Sequence, residues 1–257
     1  MAKIGIVGLG LIGGSLEKRL KDNHEILAVS KSQNREYMIK DLVDCDLVFI
    51  SCPQSQIRFV LKEIASLQNR DEGNFAKTII TDVASTKERI TYMAEDLGIK
   101  NFIPGHPMAG TENQGYEASF PELFEDASWI LCCQMHEAGI LKDLIEKELG
   151  AKTQFMDSYI HDRAVAVTSH LPLVLSASLA KLGNEFAPAR KTIGPGFKGM
   201  VRLAKGNVDM GQEIISFNRA NIKEMWNEFK AEVDSLLEAN SEDIEKDLQR
   251  TKEQLLV

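Results

Sequence analysis

Basic charge is scarce in this 257-residue chain: 30 Lys and Arg stand against 38 Asp and Glu, a formal net charge of -8. No basic run offsets that balance, so neither a nucleic-acid backbone nor an anionic membrane is expected as a partner, and any anionic ligand must be captured by local devices. Cysteine is sparse too. The four present include the adjacent Cys132 and Cys133 inside an apolar run, and no CxxC spacing occurs, so no metal site or disulfide framework is expected and a reducing compartment is. A cleavable apolar leader is missing, and so is an apolar stretch long enough to span a bilayer, which makes the expected location cytoplasmic. With 44% hydrophobic residues, the length suffices for one large domain or two modest ones.

What is present begins with a β-branched run, Lys3 to Val7, followed by Gly8-Leu9-Gly10-Leu11-Ile12-Gly13 and a helical segment, Ser15 to Lys21. Strand, glycine loop and helix in this order suit a dinucleotide. The first glycine turns the chain, the second lets backbone approach the pyrophosphate, the third lets helix and strand pack, and the helix N-terminus offers free N–H groups. Gly8, Gly10, Leu11, Ile12 and Gly13 are therefore the expected cofactor contacts. The second strand, Ile26 to Val29, ends in Ser30-Lys31-Ser32-Gln33, where an NAD site places an acid. A hydroxyl, a cation and another hydroxyl suit a 2′-phosphate instead, so the expected cofactor is NADP, held by Ser30, Lys31 and Ser32. A solvated loop with Lys31 away from the cofactor is the competing reading.

Only one short helix, around Arg35 to Leu42, fits before the strand at Asp46 to Ser51, so the usual third strand should be reduced or missing. Cys52 and Pro53 close that strand on the side where the nicotinamide is expected. A helix at Gln56 to Ser66 and an exposed polar loop at Gln68 to Ala76 follow. The strand Thr78 to Val83 delivers Ala84-Ser85-Thr86-Lys87 at its ligand-binding end. Ser85 is a candidate N-cap for helix 86–96, with Glu88 completing a capping box, and also a candidate hydrogen-bond partner of His106; the two readings are compatible. Lys87 needs no role beyond a surface charge.

After Asn101-Phe102-Ile103 comes Pro-Gly-His-Pro-Met-Ala-Gly-Thr-Glu-Asn-Gln-Gly, residues 104–115. Its glycines and prolines argue against a continuous helix or central strand and predict a rigid loop that fixes His106. Histidine changes charge near neutral pH, so an imidazole held there suits general-base chemistry, although packing in a turn would explain it equally.

Ser128 to Cys133 reads as a strand, Glu137 to Leu149 as a helix and Lys152 to Phe155 as a closing strand. From Asp157 onward the pattern is helical: Ser158 to Leu182, a Gly194-Pro195-Gly196 break, Phe197 to Ala204, then 208–238 and 241–256. The expectation is an α/β Rossmann-like dinucleotide-binding domain over 1–156 and an all-α substrate-binding and dimerisation domain over 157–257. Helices without an internal partner bury their apolar faces between chains, so a homodimer is expected. In this half His170 precedes Pro172, and either satisfies backbone groups freed by a kink or faces a ligand. Arg202 follows a glycine-rich break and either clamps a carboxylate or serves as a surface or interface ion. His161, beside Asp162, reads as structural.

Taken together, Gly8 to Ser15, Asp82-Val83-Ala84-Ser85-Thr86-Lys87, Gly105-His106-Pro107-Met108-Ala109-Gly110-Thr111-Glu112, His161-Asp162, Ser169-His170-Leu171-Pro172 and Gly196-Phe197-Lys198 with Arg202 resemble the arogenate/prephenate dehydrogenases of tyrosine biosynthesis. The motifs run in family order over nearly the whole chain. The resemblance implies an oxidative decarboxylation of a small-molecule substrate, arogenate or prephenate. It implies that His106 accepts the hydroxyl proton with Ser85 orienting it, that Arg202 holds a substrate carboxylate, and that Glu112 sits at the pocket entrance and pairs with that arginine. Thr111, Gln114 and His170 join the implied substrate pocket. Many prephenate-using members carry a second histidine just after the SHLP motif; Leu173 stands there, which favours arogenate. Gly199 replaces an acid found in some members, which implies a smaller entrance ion network. Two rivals remain: another two-domain NADP-dependent hydroxyacid or imine oxidoreductase, and a non-catalytic NADP-binding sensor.

Overall fold

The computed structural model describes residues 1–34, 37–70 and 75–255. Its first half is built on a parallel sheet of β1 (Lys3–Val7), β2 (Glu25–Val29), β3 (Leu47–Ile50), β4 (Ile79–Asp82) and β5 (Phe102–Ile103), in the order β2-β1-β3-β4-β5. Both faces are covered, so the central strands are continuous apolar runs. In β3, Leu47 and Phe49 enter one core while Val48 and Ile50 enter the other, as the two-residue pleat requires. The first core is closed by α1 (Leu11–Leu20), through Leu16 and Leu20, and by α4 (Met135–Lys147), through Leu141, Leu144 and Ile145. The second is closed by α2 (Gln54–Asn69) and α3 (Glu88–Asp96), where Ile57, Val60, Leu61 and Ile64 recur at helical spacing.

β2 is the edge of this sheet. Among the described residues only a 3₁₀ turn, Ile39–Leu42, fills the space between β2 and β3, so the third strand of the usual order is missing as expected. Arg35, where a helix was expected to start, lies outside the described residues, as do 71–74 of the expected loop. That loop is not wholly exposed: α2 runs on to Asn69, and Phe75 is fully buried, with its carbonyl accepting from the Gln68 side chain.

A second, three-stranded sheet follows, β6 (Gly105–Pro107), β7 (Ser128–Leu131) and β8 (Lys152–Phe155). It corrects the expectation of a loop around His106. The histidine sits within β6, antiparallel to β7 and opposite Ile130. β6 is an edge strand, where the N–H missing from Pro107 costs nothing, so proline does not exclude a strand here.

The rest is helical. α5 (Ser158–Val165), a π turn at Ala166–His170 and α6 (Leu171–Glu185) form one run. Pro172 cannot donate to the helix ladder, and immediately before it the turn widens, with the Leu171 N–H reaching Ala166 O. By length and composition the 28-residue run Ser158–Glu185 could cross a membrane, contrary to expectation. Here, however, it carries the buried polar groups His161, Asp162 and His170, all bonded to other side chains of the fold.

After α7 (Pro195–Met200) and a 3₁₀ turn at Arg202–Lys205 come α8 (Val208–Phe217), α9 (Arg219–Glu238) and α10 (Ser241–Glu253). The helix expected over 208–238 is broken at Asn218, whose side chain is recruited by Asp162 O and His170 Nδ1. Buried apolar packing is thin in this half: one small cluster joins Ala166, Leu171 and Met225, while Leu182, Phe186, Met200, Trp226 and Leu237 stay exposed.

Two carboxylates fasten the halves together. Asp162 on α5 accepts the Lys87 and Glu88 N–H groups at the start of α3, at 2.6 and 3.0 Å. Glu213 on α8 accepts the Gln54 and Ser55 N–H groups at the start of α2, at 2.9 and 3.1 Å. Each places negative charge on a helix N-terminus. Ser85 is therefore not the N-cap of α3, because that helix starts only at Glu88 and its cap arrives from the other half.

Candidate active site

The glycine loop meets the demands of a dinucleotide. Gly8 has φ +101°, a left-handed conformation that a side chain resists, and a Cβ there would strike the backbone of Ser51 and Cys52. A Cβ on Gly13 would lie 2.0 Å from Gly8 O, so only glycine lets α1 approach the loop this closely. At Gly10 the space is open for 4 Å. α1 starts behind Gly10 with no side-chain cap and no acid in its first turn, which leaves its N-terminus, at Leu11 and Ile12, fit for a pyrophosphate. Ser51, unnoticed in the sequence, ties the loop to the end of β3 by donating its hydroxyl to Gly8 O at 2.7 Å.

Farther along the edge, Ser30 is buried. Its hydroxyl lies 3.2 Å from that of Ser32 and accepts the Gln33 N–H, while Lys31 and Ser32 are exposed. Cys52 and Pro53 leave β3 in the expected position, Pro53 opening α2; burial pushes the Cys52 thiol up to about 12, so it is neutral.

His106 is buried at the ligand edge, and its partner is not Ser85. No bond joins those two residues. Nδ1 of His106 lies 2.9 Å from Nε2 of His161, whose own Nδ1 lies 2.8 Å from Asp162 Oδ1. The sequence reads His161, beside Asp162, as structural; the fold sets the pair directly behind His106. Burial first, then the neighbouring His161, Lys87 and His170, holds the His106 pKa well below the ordinary histidine value, which leaves a neutral imidazole able to take a proton.

Lys87 is no surface charge. It is fully buried, its ammonium paired with Asp82 and donating to Gly105 O at 2.6 Å, one residue before His106. Asp82 also accepts the N–H groups of Gly105 and Ala84. An ion pair thus clamps the backbone that carries the imidazole to the end of β4.

The remaining predicted residues are less gathered. Thr111, Glu112 and Gln114 are exposed on the loop after β6, where the Thr111 hydroxyl accepts the Asn113 N–H. Arg202 is exposed on its 3₁₀ turn, and no ion pair joins it to Glu112. Its turn is docked on α6: the Ala204 N–H reaches the Ser176 hydroxyl, and Phe197 packs where Gly183 has no Cβ. His170 is almost fully buried, its Nδ1 2.9 Å from Asn218 Nδ2, and burial lowers its pKa to about 4. Its partner is a side chain between α8 and α9, not a backbone group freed at the kink.

Two neutral buried histidines make stability depend on pH. In the unfolded chain each takes a proton near pH 6.5, whereas in the fold His170 resists to about 4 and His106 is also depressed. The unfolded state therefore binds more protons through this window, and stability is complete above about 6.5 and falls as the pH drops towards 4. Urea midpoints should decline steadily across that window; a midpoint flat from about pH 7 to 4.5 would contradict the neutral burial of both rings.

Comparison with known proteins adds to this geometry. A family model described as the prephenate dehydrogenase nucleotide-binding domain matches residues 11–154, and one described as the prephenate dehydrogenase dimerization domain matches residues 157–254. A prephenate dehydrogenase of Lactococcus lactis subsp. cremoris is 30% identical over 258 residues, covering 92% of this chain and 70% of that protein. The crystal structure of Synechocystis arogenate dehydrogenase superposes with a TM-score of 0.82 at 28% identity, covering 98% of this chain and 96% of that one. Prephenate dehydrogenase from A. aeolicus, in complex with hydroxyphenyl propionate and NAD+, gives a TM-score of 0.83 at 25% identity, covering 99% and 96%.

Proposed function

The chain belongs to the prephenate dehydrogenase family, enzymes of tyrosine biosynthesis, and we propose that within it this protein is an NADP-dependent arogenate dehydrogenase. The observation that carries the substrate choice is Leu173. It occupies the position of the second histidine of many prephenate-using members, and its side chain packs towards Gly211 of α8, leaving no imidazole there for a pyruvyl group. The NADP preference is supported by the lack of an acid directly after β2, at Ser30 to Gln33, and by the exposed side chains of Lys31 and Ser32, a cation and a hydroxyl that suit a 2′-phosphate. The A. aeolicus structure holds NAD+, so the preference is a property proposed for this chain's own loop.

Bound NADP supplies the hydride acceptor. Beside it, His106 takes the proton of the ring hydroxyl as the ring carbon gives up its hydride and the C–O bond becomes a carbonyl. The bond to the ring carboxylate then breaks, carbon dioxide leaves, its electron pair enters the ring, and the new phenolate oxygen recovers the proton from His106. Ser85 follows β4 by three residues and makes no bond to His106, so the orienting role falls to other residues. Arg202 clamps a substrate carboxylate, and the exposed Thr111, Glu112 and Gln114 contribute to the same substrate pocket. Arg202→Gln should then raise the KM for arogenate at least about tenfold, in line with loss of a charge-assisted pair, and leave NADP affinity unchanged. An unchanged KM removes the clamp.

We place the dinucleotide-binding domain at residues 1–156 and the substrate-binding, dimerising helical domain at 157–257, in a cytoplasmic homodimer. The exposed Leu182, Phe186, Trp226 and Leu237 supply an apolar face for the partner copy. The test of substrate and cofactor is kcat/KM for arogenate and prephenate, each with NADP and NAD. Arogenate with NADP should lead; a lead for prephenate, or for NAD, overturns that half of the proposal.

A further inference from the structure

We infer that His161 and Asp162 are positioning residues that form a relay behind His106 and fix which of its ring nitrogens is the base. The inference rests on the reading of His106 as the base and extends it to residues outside that reading.

The assignment runs outward from the carboxylate. Asp162 is buried, and an ionised carboxylate only accepts. Its Oδ2 takes the Glu88 N–H at 3.0 Å, and its Oδ1 takes both the Lys87 N–H at 2.6 Å and the His161 ring at 2.8 Å. A neutral His161 then carries its one proton on Nδ1, and its Nε2 holds a lone pair. That lone pair lies 2.9 Å from Nδ1 of His106, so Nδ1 of His106 is the donor and carries the hydrogen. The second nitrogen of His106, Nε2, is left as the free base. The ring centroids lie 5.1 Å apart with the planes twisted by 71°; with the two nitrogens 2.9 Å apart, that separation fits an end-on contact in which the N–H of one ring points along the lone pair of the other.

Each link is immobilised by something else. Asp162 is held by the two N–H groups at the start of α3, while its own carbonyl accepts from Asn218 at 2.8 Å. His161 is fully buried on α5, and His106 is paired in β6 with its backbone clamped by Lys87. The relay begins on the helical run and ends in the small sheet, so the tautomer of the base is set only while the halves are docked. When His106 gains the substrate proton on Nε2, its Nδ1–H remains bonded to His161, whose Nδ1–H points at the Asp162 charge. No proton leaves the pair of rings, and the one gained returns to the phenolate oxygen. The other ionisable groups around the pair are Asp82 at the end of β4, Lys87 at the start of α3 and His170 on the π turn.

The direct test needs no variant. In unmodified enzyme labelled with ¹⁵N at histidine, near pH 7.5, the His106 signals should show Nδ1 protonated and Nε2 bare; the reverse tautomer overturns the relay. Kinetics give the second test. His161→Leu removes the acceptor and should lower kcat about 10- to 100-fold, with the KM for arogenate and NADP affinity within about twofold. His161→Gln, whose amide oxygen can still accept from His106 Nδ1, should restore most of that loss. Asp162→Asn keeps an acceptor but removes the charge, so it should shift the acid limb of kcat/KM to lower pH. A merely structural His161 would lower thermal stability in both His161 variants without the rescue in kcat. Native turnover in His161→Leu beside an inactive His106→Asn overturns the relay and leaves the base standing, whereas native turnover in His106→Asn removes the base and the relay with it.

Discussion

Replacing His106 with Asn should lower kcat by about 10²–10⁴-fold while leaving the fold and NADP affinity intact. The expectation separates what the side chain does for structure from what it does for chemistry. An asparagine amide can still donate to Nε2 of His161 across the 2.9 Å now spanned by Nδ1, so the buried contact has a replacement. The strand pairing of β6 uses backbone atoms and is untouched. The glycine loop lies on β1 and α1, which His106 does not build. What the amide lacks is a basic nitrogen, so turnover should fall with little change in melting temperature. NADPH absorbance in steady state measures it, and a variant turning over near the native rate would remove His106 from the mechanism.

Lys87→Met should cost about 3–5 kcal/mol of stability, the usual consequence of leaving a buried charge without its partner. Lys87 and Asp82 are both fully shielded from solvent. With the ammonium gone, the Asp82 carboxylate keeps only the N–H groups of Gly105 and Ala84, at 3.3 and 3.0 Å. Gly105 O loses its donor as well, so the residue that leads into His106 is released on one side. For a chain of this size the melting temperature should drop by roughly 6–20 °C. Lys87→Met combined with Asp82→Asn should recover much of that loss, because no charge is left buried and the amide oxygen still accepts from the Gly105 and Ala84 side of the site. A single variant melting within about 2 °C of the native protein would show that the pair is not coupled to stability.

The parallel sheet was legible because its strands are short apolar runs ending in ligand-edge residues, and the glycine loop because Gly8, Gly10 and Gly13 each answer a distinct steric demand. The break between β2 and β3 was legible from its length alone. The strand around His106 was not, since proline normally argues against pairing and nothing local reveals that β6 is an edge. Nor were the caps of α2 and α3 readable. Ser85 offered a plausible local cap for α3, but the carboxylates of Glu213 and Asp162 come from 158 and 75 residues away. Lys87 was misread for a related reason: a lysine after a strand is usually solvated, and only the fold shows Asp82 beside it. His170 and Arg202 were each left with a structural and a functional alternative, because a single motif does not say whether a side chain turns towards its own helix or towards a ligand.

The central claim is an oxidative decarboxylation carried out at the ligand edge of the sheet, and its most direct measurement is stoichiometry in one reaction. Unmodified enzyme given NADP and limiting arogenate should produce NADPH, carbon dioxide and tyrosine in equal amounts. NADPH formed without carbon dioxide would mean simple oxidation of the hydroxyl, and binding of NADP with no product from either arogenate or prephenate would mean a sensor; either result contradicts the account.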